Sequence, residues 1–129
     1  MKKMQILFSM LLLGVITLSS FTRHEPSWKE MEDFHAAMSV TFHPAEEDNL
    51  QPVKEKAGDL LLKAKAWQKA AVPQGYNGEL TKSILIRLVQ QCKKLKVAVT
   101  QKKSDAELKK MITEAHEIFH EIKEKCVEK

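Results

Sequence analysis

After Pro26, turn-forming residues cluster at only three places: the stretches HPAEEDNLQP, VPQGYNGE and KKSDAEL. The segments between them are long and rich in Ala, Leu, Lys and Glu, the residues that lose least on entering a helix. With four glycines and four prolines in 129 residues, the chain has few places to reverse, and strand-like alternation is absent. This punctuation predicts four amphipathic helices, near residues 28–43, 51–71, 79–101 and 105–126.

Each segment carries its own apolar seam. The first places Trp28, Met31, Phe34 or His35, Met38 and Phe42 on one stripe, with Ser27 and Glu30 at capping-box spacing and Pro44 as its stop. Pro52 opens the second, whose seam is Val53, Ala57, Leu60, Leu61, Ala64 and Trp67; Gly58 within it predicts close approach of a neighbour. The third seam runs through Leu80, Ile84, Leu88, Cys92, Leu95 and Val99. The fourth runs through Leu108, Ile112, Ala115, Phe119 and Ile122, after a second capping box at Ser104 and Glu107. Four such helices with short connections read as an all-α, antiparallel up-down-up-down bundle. Its expected core includes Trp28, Phe34, Leu61, Leu88, Leu95, Phe119 and Ile122.

The beginning of the chain has a different character. Lys2 and Lys3 precede an apolar stretch from Ile6 to Leu18, and Thr17 and Ser19 stand at the spacing a signal peptidase reads. Residues 1–23 therefore read as a signal peptide and residues 24–129 as one domain, exported to the periplasm or secreted, without stable membrane insertion. All 17 acidic residues lie after Arg23, so cleavage beyond Arg23 leaves 18 basic residues and a net charge of +1. The basic character of the precursor is then no argument for a nucleic-acid partner. About 105 residues suffice for one core.

Chemistry-bearing residues are few. His116 and His120 stand four apart in AHEIFHEIKEKC, and helical spacing puts them on one face. An antiparallel first helix brings His35 to the level of Phe119, between those two histidines, while His43 falls deeper, near Met111. Cys92 of the third helix is level with Ala115 and His116. Cys92 and Cys126 differ in height by about 16 Å at the helical rise, too far for a disulfide. Cys92 and Cys126 both follow core periodicity, Cys126 near the open end where a thiol can stay reactive. His43, Glu46, Glu47 and Asp48 form a second cluster able to hold a divalent cation. His24 falls in the mature terminus.

The segments MEDFHAAM and EIFHEIKEK, in an exported four-helix bundle, resemble the ligand regions of the soluble periplasmic b-type cytochromes and their c-prime relatives. In the b-type proteins a methionine of the first helix and a histidine late in the fourth hold haem. The resemblance implies His35 in the methionine position and His120 in the histidine position. The covalent haem motif is missing: His116 and Phe119 stand where its cysteines would be. Haem b through His35 and His120 is one implied site; zinc or copper held by His35, His116, His120 and Cys92 is the other. Electron transfer, or metal binding with a redox or metal-handling partner in the envelope, follows from either, and pairing of two copies is compatible with both.

Enzymatic motifs do not compete well. HEIFH spells H-E-x-x-H from His116 to His120, but a zinc protease needs a third ligand and a cleft beside a strand. The rival reading is a cofactor-free envelope protein that binds polypeptides or other envelope components through an apolar surface. It expects Met31, Met38 or Trp67 to be exposed, and no dependence on metal.

Overall fold

The computed structural model describes residues 27–129 as four helices: α1 (Lys29–Glu46), α2 (Gln51–Lys69), α3 (Gly78–Thr100) and α4 (Asp105–Lys125). The expected signal peptide and His24 lie outside the described residues. Each helix packs on the next, and α1 closes the ring against α4 more sparsely than the sequential pairs do. The arrangement is the expected up-down-up-down bundle. No described helix is long and apolar enough to cross a membrane.

The helix ends follow local chemistry. At α4 the capping box forms in full: Ser104 Oγ accepts from the Glu107 amide at 3.2 Å, and Glu107 Oε2 accepts from the Ser104 amide at 3.2 Å. Asn77 caps α3, its side chain accepting from the Leu80 amide at 3.0 Å. Ser27 does not cap α1. Trp28 holds the cap position in extended conformation because its ring is anchored in the core, and Ser27 Oγ donates instead to Glu32. Pro44 does not stop α1 either; it sits in the last turn, where its fixed φ is helical and only one backbone bond is forfeited.

Helices α1 and α3 end in the same device. Asp48 and Lys102 adopt positive φ, 61° and 53°, and the following amides of Asn49 and Lys103 donate to Pro44 and Ala98. These are Schellman ends built without glycine. The α2–α3 connection is tied to the chain's last residues: the Asn77 amide donates to Cys126 O at 2.7 Å and the Glu128 amide to Gly75 O at 2.8 Å. Gly75, at φ 94°, provides the left-handed turn that this clamp requires.

Every expected core residue is buried: Trp28, Phe34, Leu61, Leu88, Leu95, Phe119 and Ile122. One open alternative is decided and two seam assignments shift by one residue. Phe34 rather than His35 turns inward, Thr81 is buried while Leu80 is exposed, and Ala98 is buried with Val99 only partly so. Adjacent residues differ by about 100° around a helix, and the neighbouring helices decide between them. Met31, Met38 and Trp67, one or more of which the cofactor-free reading expects to be exposed, are all buried; among the described residues the large apolar side chains at the surface are Val40, Leu62, Leu80, Ile86 and Val97.

At the open end, Trp67 meets Trp28 at 5.6 Å, Phe34 at 5.5 Å and Phe119 at 5.9 Å between ring centres. This cluster joins α1, α2 and α4, and it holds although the indole N–H groups of Trp28 and Trp67 have no protein acceptor. Trp67→Ala is expected to lower stability by about 3–5 kcal/mol, measured by urea denaturation. Gly58 does not serve a close approach: a methyl group there would meet only the end of the Lys96 side chain, at 3.9 Å. Gly58→Ala is therefore expected to raise stability by about 1 kcal/mol in the same assay.

Candidate functional site

Two surfaces of the bundle carry chemistry. The first is the sparse seam between α1 and α4. His116 and His120, one turn apart and both half-buried, face each other with their Nε2 atoms 3.1 Å apart. The ring of His116 lies flat on Phe42, centres 3.8 Å apart and planes 12° from parallel. His35 is exposed, but one face of its ring lies on Phe119 at 5.1 Å and 16°. The predicted level of His35 is correct and its predicted inward direction is not.

Burial of these ring faces lowers the pKa of His35 below its ordinary 6.5, and positive charge from Lys123, His120 and His43 adds to the effect. His116 is lowered for the same first reason; His120 adds to the shift, Glu46 opposes it, and His43 and His35 add further.

The remaining candidates stay apart. Cys92 is fully buried, and burial pushes its thiol up to about 12, which keeps it neutral at physiological pH. Cys126 is also fully buried, so its position near the open end does not expose it, and neither thiol is paired. In the HPAEED turn, His43 Nδ1 meets Glu46 Oε2 at 3.0 Å, while Asp48 takes the Lys109 ammonium at 2.7 Å. Lys109 also donates to the Glu46 carbonyl, so a lysine holds the place a cation would need. No three His, Cys, Asp or Glu side chains among the described residues converge on one point. Glu117 of the H-E-x-x-H sequence points to solvent.

Next to the histidines the interior is aromatic. Phe34, Trp67 and Phe119 fill the space between α1, α2 and α4, with Phe34 and Phe119 5.8 Å apart, and His35 and His120 both pack on Phe119.

The second surface lies between α3 and α4, where Arg87 pairs with Glu121 in a two-pronged bridge at 2.8 and 3.1 Å and Gln91 Nε2 donates to Met111 O and Glu114. Beyond Gln91 the helices leave an open groove of about 400 Å³ with Val97, Ala98 and Met111 as its apolar floor. Lys93, Lys94 and Lys103 rim it, and Lys103 also borders a hollow of about 320 Å³ beside Lys54, Val99, Lys102 and Leu108. The carboxylate at the rim, Glu107, is engaged by Ser104. Sequence reading missed this groove because Val97 lies off the α3 seam; an off-seam apolar residue directly after Lys93, Lys94 and Lys96 was the available signal.

Compared with known protein families, with curated proteins and with solved structures, the chain matches none. Of the resemblance read from MEDFHAAM, EIFHEIKEK and the bundle, the structure bears out the all-helical four-helix bundle.

Because the folded chain disfavours protonated His35 and His116, the unfolded chain binds more protons as pH falls. Their contribution is whole above pH 6.5 and is lost as pH drops below it. The melting temperature is expected to decline from pH 7.5 to pH 5, and His116→Phe, which keeps an aromatic ring on Phe42, should flatten the decline.

Proposed function

We propose that this is an exported helical bundle that binds, without need of a cofactor, an acidic, amphipathic polypeptide segment in the groove between α3 and α4. The observation that carries the reading is the pairing of an apolar floor, Val97, Ala98 and Met111, with a rim of Lys93, Lys94 and Lys103. Lys93 and Lys94 on this rim form no ion pair among the described residues, so a ligand's carboxylates meet two cations without displacing an internal partner. Val97 is 53% exposed, a cost in water that an apolar side chain of the ligand would remove. An open groove suits side chains presented by a polypeptide, whereas small-molecule sites enclose most of their ligand. Export is the reading of Lys2, Lys3 and the apolar run that follows them.

The haem and electron-transfer reading has less support, because aromatic side chains occupy the interior a porphyrin would need.

The test uses an 18-residue helical peptide with a leucine stripe flanked by glutamates, followed by fluorescence anisotropy. Saturable binding is expected, weakened by salt, and weakened at least tenfold by Val97→Glu or by Lys93→Glu with Lys94→Glu. A lysine-flanked peptide of the same stripe should bind far less. Equal binding of the two peptides, or indifference to Val97→Glu, would overturn the reading.

A further inference from the structure

The strip between α1 and α4 holds a feature that the peptide groove does not use. Two imidazole nitrogens of α4, Nε2 of His116 and Nε2 of His120, face each other at 3.1 Å. Nitrogen ligands sit about 2.0–2.1 Å from a bound zinc ion, so two of them on one ion are separated by roughly 2.9 Å at a right angle and 3.4 Å at a tetrahedral one. The observed distance falls between those limits. The pair is already spaced as two ligands of one ion.

Their orientation is fixed from behind. His116 lies flat against Phe42, itself buried in the core, and the His120 ring stands 75° to that of His116 and packs by its edge on Phe119. Both side chains are half-buried, so an ion can approach from solvent while little ring motion needs to be frozen. Among the described residues no third side chain converges with them, which leaves the other coordination positions to water.

We propose that His116 and His120 form a two-point chelate for a divalent transition-metal ion, taking Cu²⁺ more tightly than Zn²⁺. The order follows from the general preference of nitrogen sites for copper among the divalent first-row ions. In the metal-free pair one Nε2 carries the proton shared across the 3.1 Å contact. Binding moves that proton to Nδ1 of the same ring through solvent, so two lone pairs face the ion with no change of oxidation state. His35, held on Phe119, and His43, held on Glu46, are neighbours and not ligands. Cys92 takes no part, because its thiol is enclosed in the core. The site faces α1 and the peptide groove faces α3, so the two readings fail independently.

The experiment titrates the full chain, carrying His24→Ala so that this histidine is not counted, with CuCl₂ and separately ZnCl₂. Calorimetry gives affinity and stoichiometry, and electron paramagnetic resonance of the copper form reports the nitrogen ligands. One Cu²⁺ per chain with two imidazole nitrogens is expected, bound at least tenfold more tightly than Zn²⁺. His116→Ala and His120→Ala should each weaken copper binding at least tenfold. The double variant should be little worse than either single one, since a chelate is lost with its first arm. His35→Ala and His43→Ala should stay within twofold of the parent. Circular dichroism of each variant confirms that the bundle is intact, and His116→Gln provides a second test if His116→Ala disturbs it. Absence of saturable binding, equal affinity for the two ions, or loss of binding on replacing His35 or His43 would each overturn the proposal.

Discussion

The contact on which the rest of the bundle depends is the meeting of Trp67 with Trp28, Phe34 and Phe119. It is the place where α1, α2 and α4 share one set of rings, with Tyr76 of the α2–α3 connection tilted against Trp28 at 5.2 Å. Aromatic rings bury much area and favour a few mutual geometries, so this cluster sets the rotation of α1 as well as its position. Once Phe34 enters it, His35 must lie outside, about 100° around the helix. Once Phe119 enters it from α4, its outer face becomes the surface on which His35 rests. Interior packing and the histidine edge are therefore two sides of one constraint.

The same constraint explains what could be read from the sequence. Helix number, order and approximate limits were legible because the breaks are few and each amphipathic segment has one apolar side. The Ser104 capping box was legible because its bonds are local. Ser27 looked equivalent, yet a distant partner decided the outcome: Trp28 is pulled into the aromatic cluster and takes the cap position in extended form. Leu80 and Thr81 were ambiguous for a related reason. A leucine is the more apolar choice, but Thr81 satisfies its hydroxyl by donating to the Asn77 carbonyl at 2.6 Å and can then be buried at little cost.

For the site, height along the bundle was legible and direction was not. Counting residues in an antiparallel pair placed His35 level with Phe119, and the rings do stack. The count carries no information about rotation, so it could not say that His35 faces outward or that Cys92 is sealed inside the core. The cluster at His43 failed for another reason: its acidic residues suggested a cation, and the chain itself supplies one in Lys109, from a helix more than sixty residues away. The groove was illegible because it is made by what two helices leave uncovered between them.

Helix α4 shows how a small bundle keeps two surfaces separate. Ile112, Ala115, Phe119 and Ile122 form its buried stripe. Met111 and Glu114 lie on one flank, toward α3, as the contacts of Gln91 establish. His116 and His120 lie on the other flank, toward α1, as the stacking on Phe42 establishes. The buried stripe itself belongs to neither surface, although Met111 packs against the core and His116 stacks on Phe42. Phe119 alone joins the buried stripe to the histidine flank: it contacts Trp67 and Phe34 on one side and His35 and His120 on the other. Any change that moves Trp67 reaches the histidine edge directly through that ring, whereas it reaches the lysine-rimmed groove only through the aliphatic part of the core, where Ala98 is buried and against which Met111 packs.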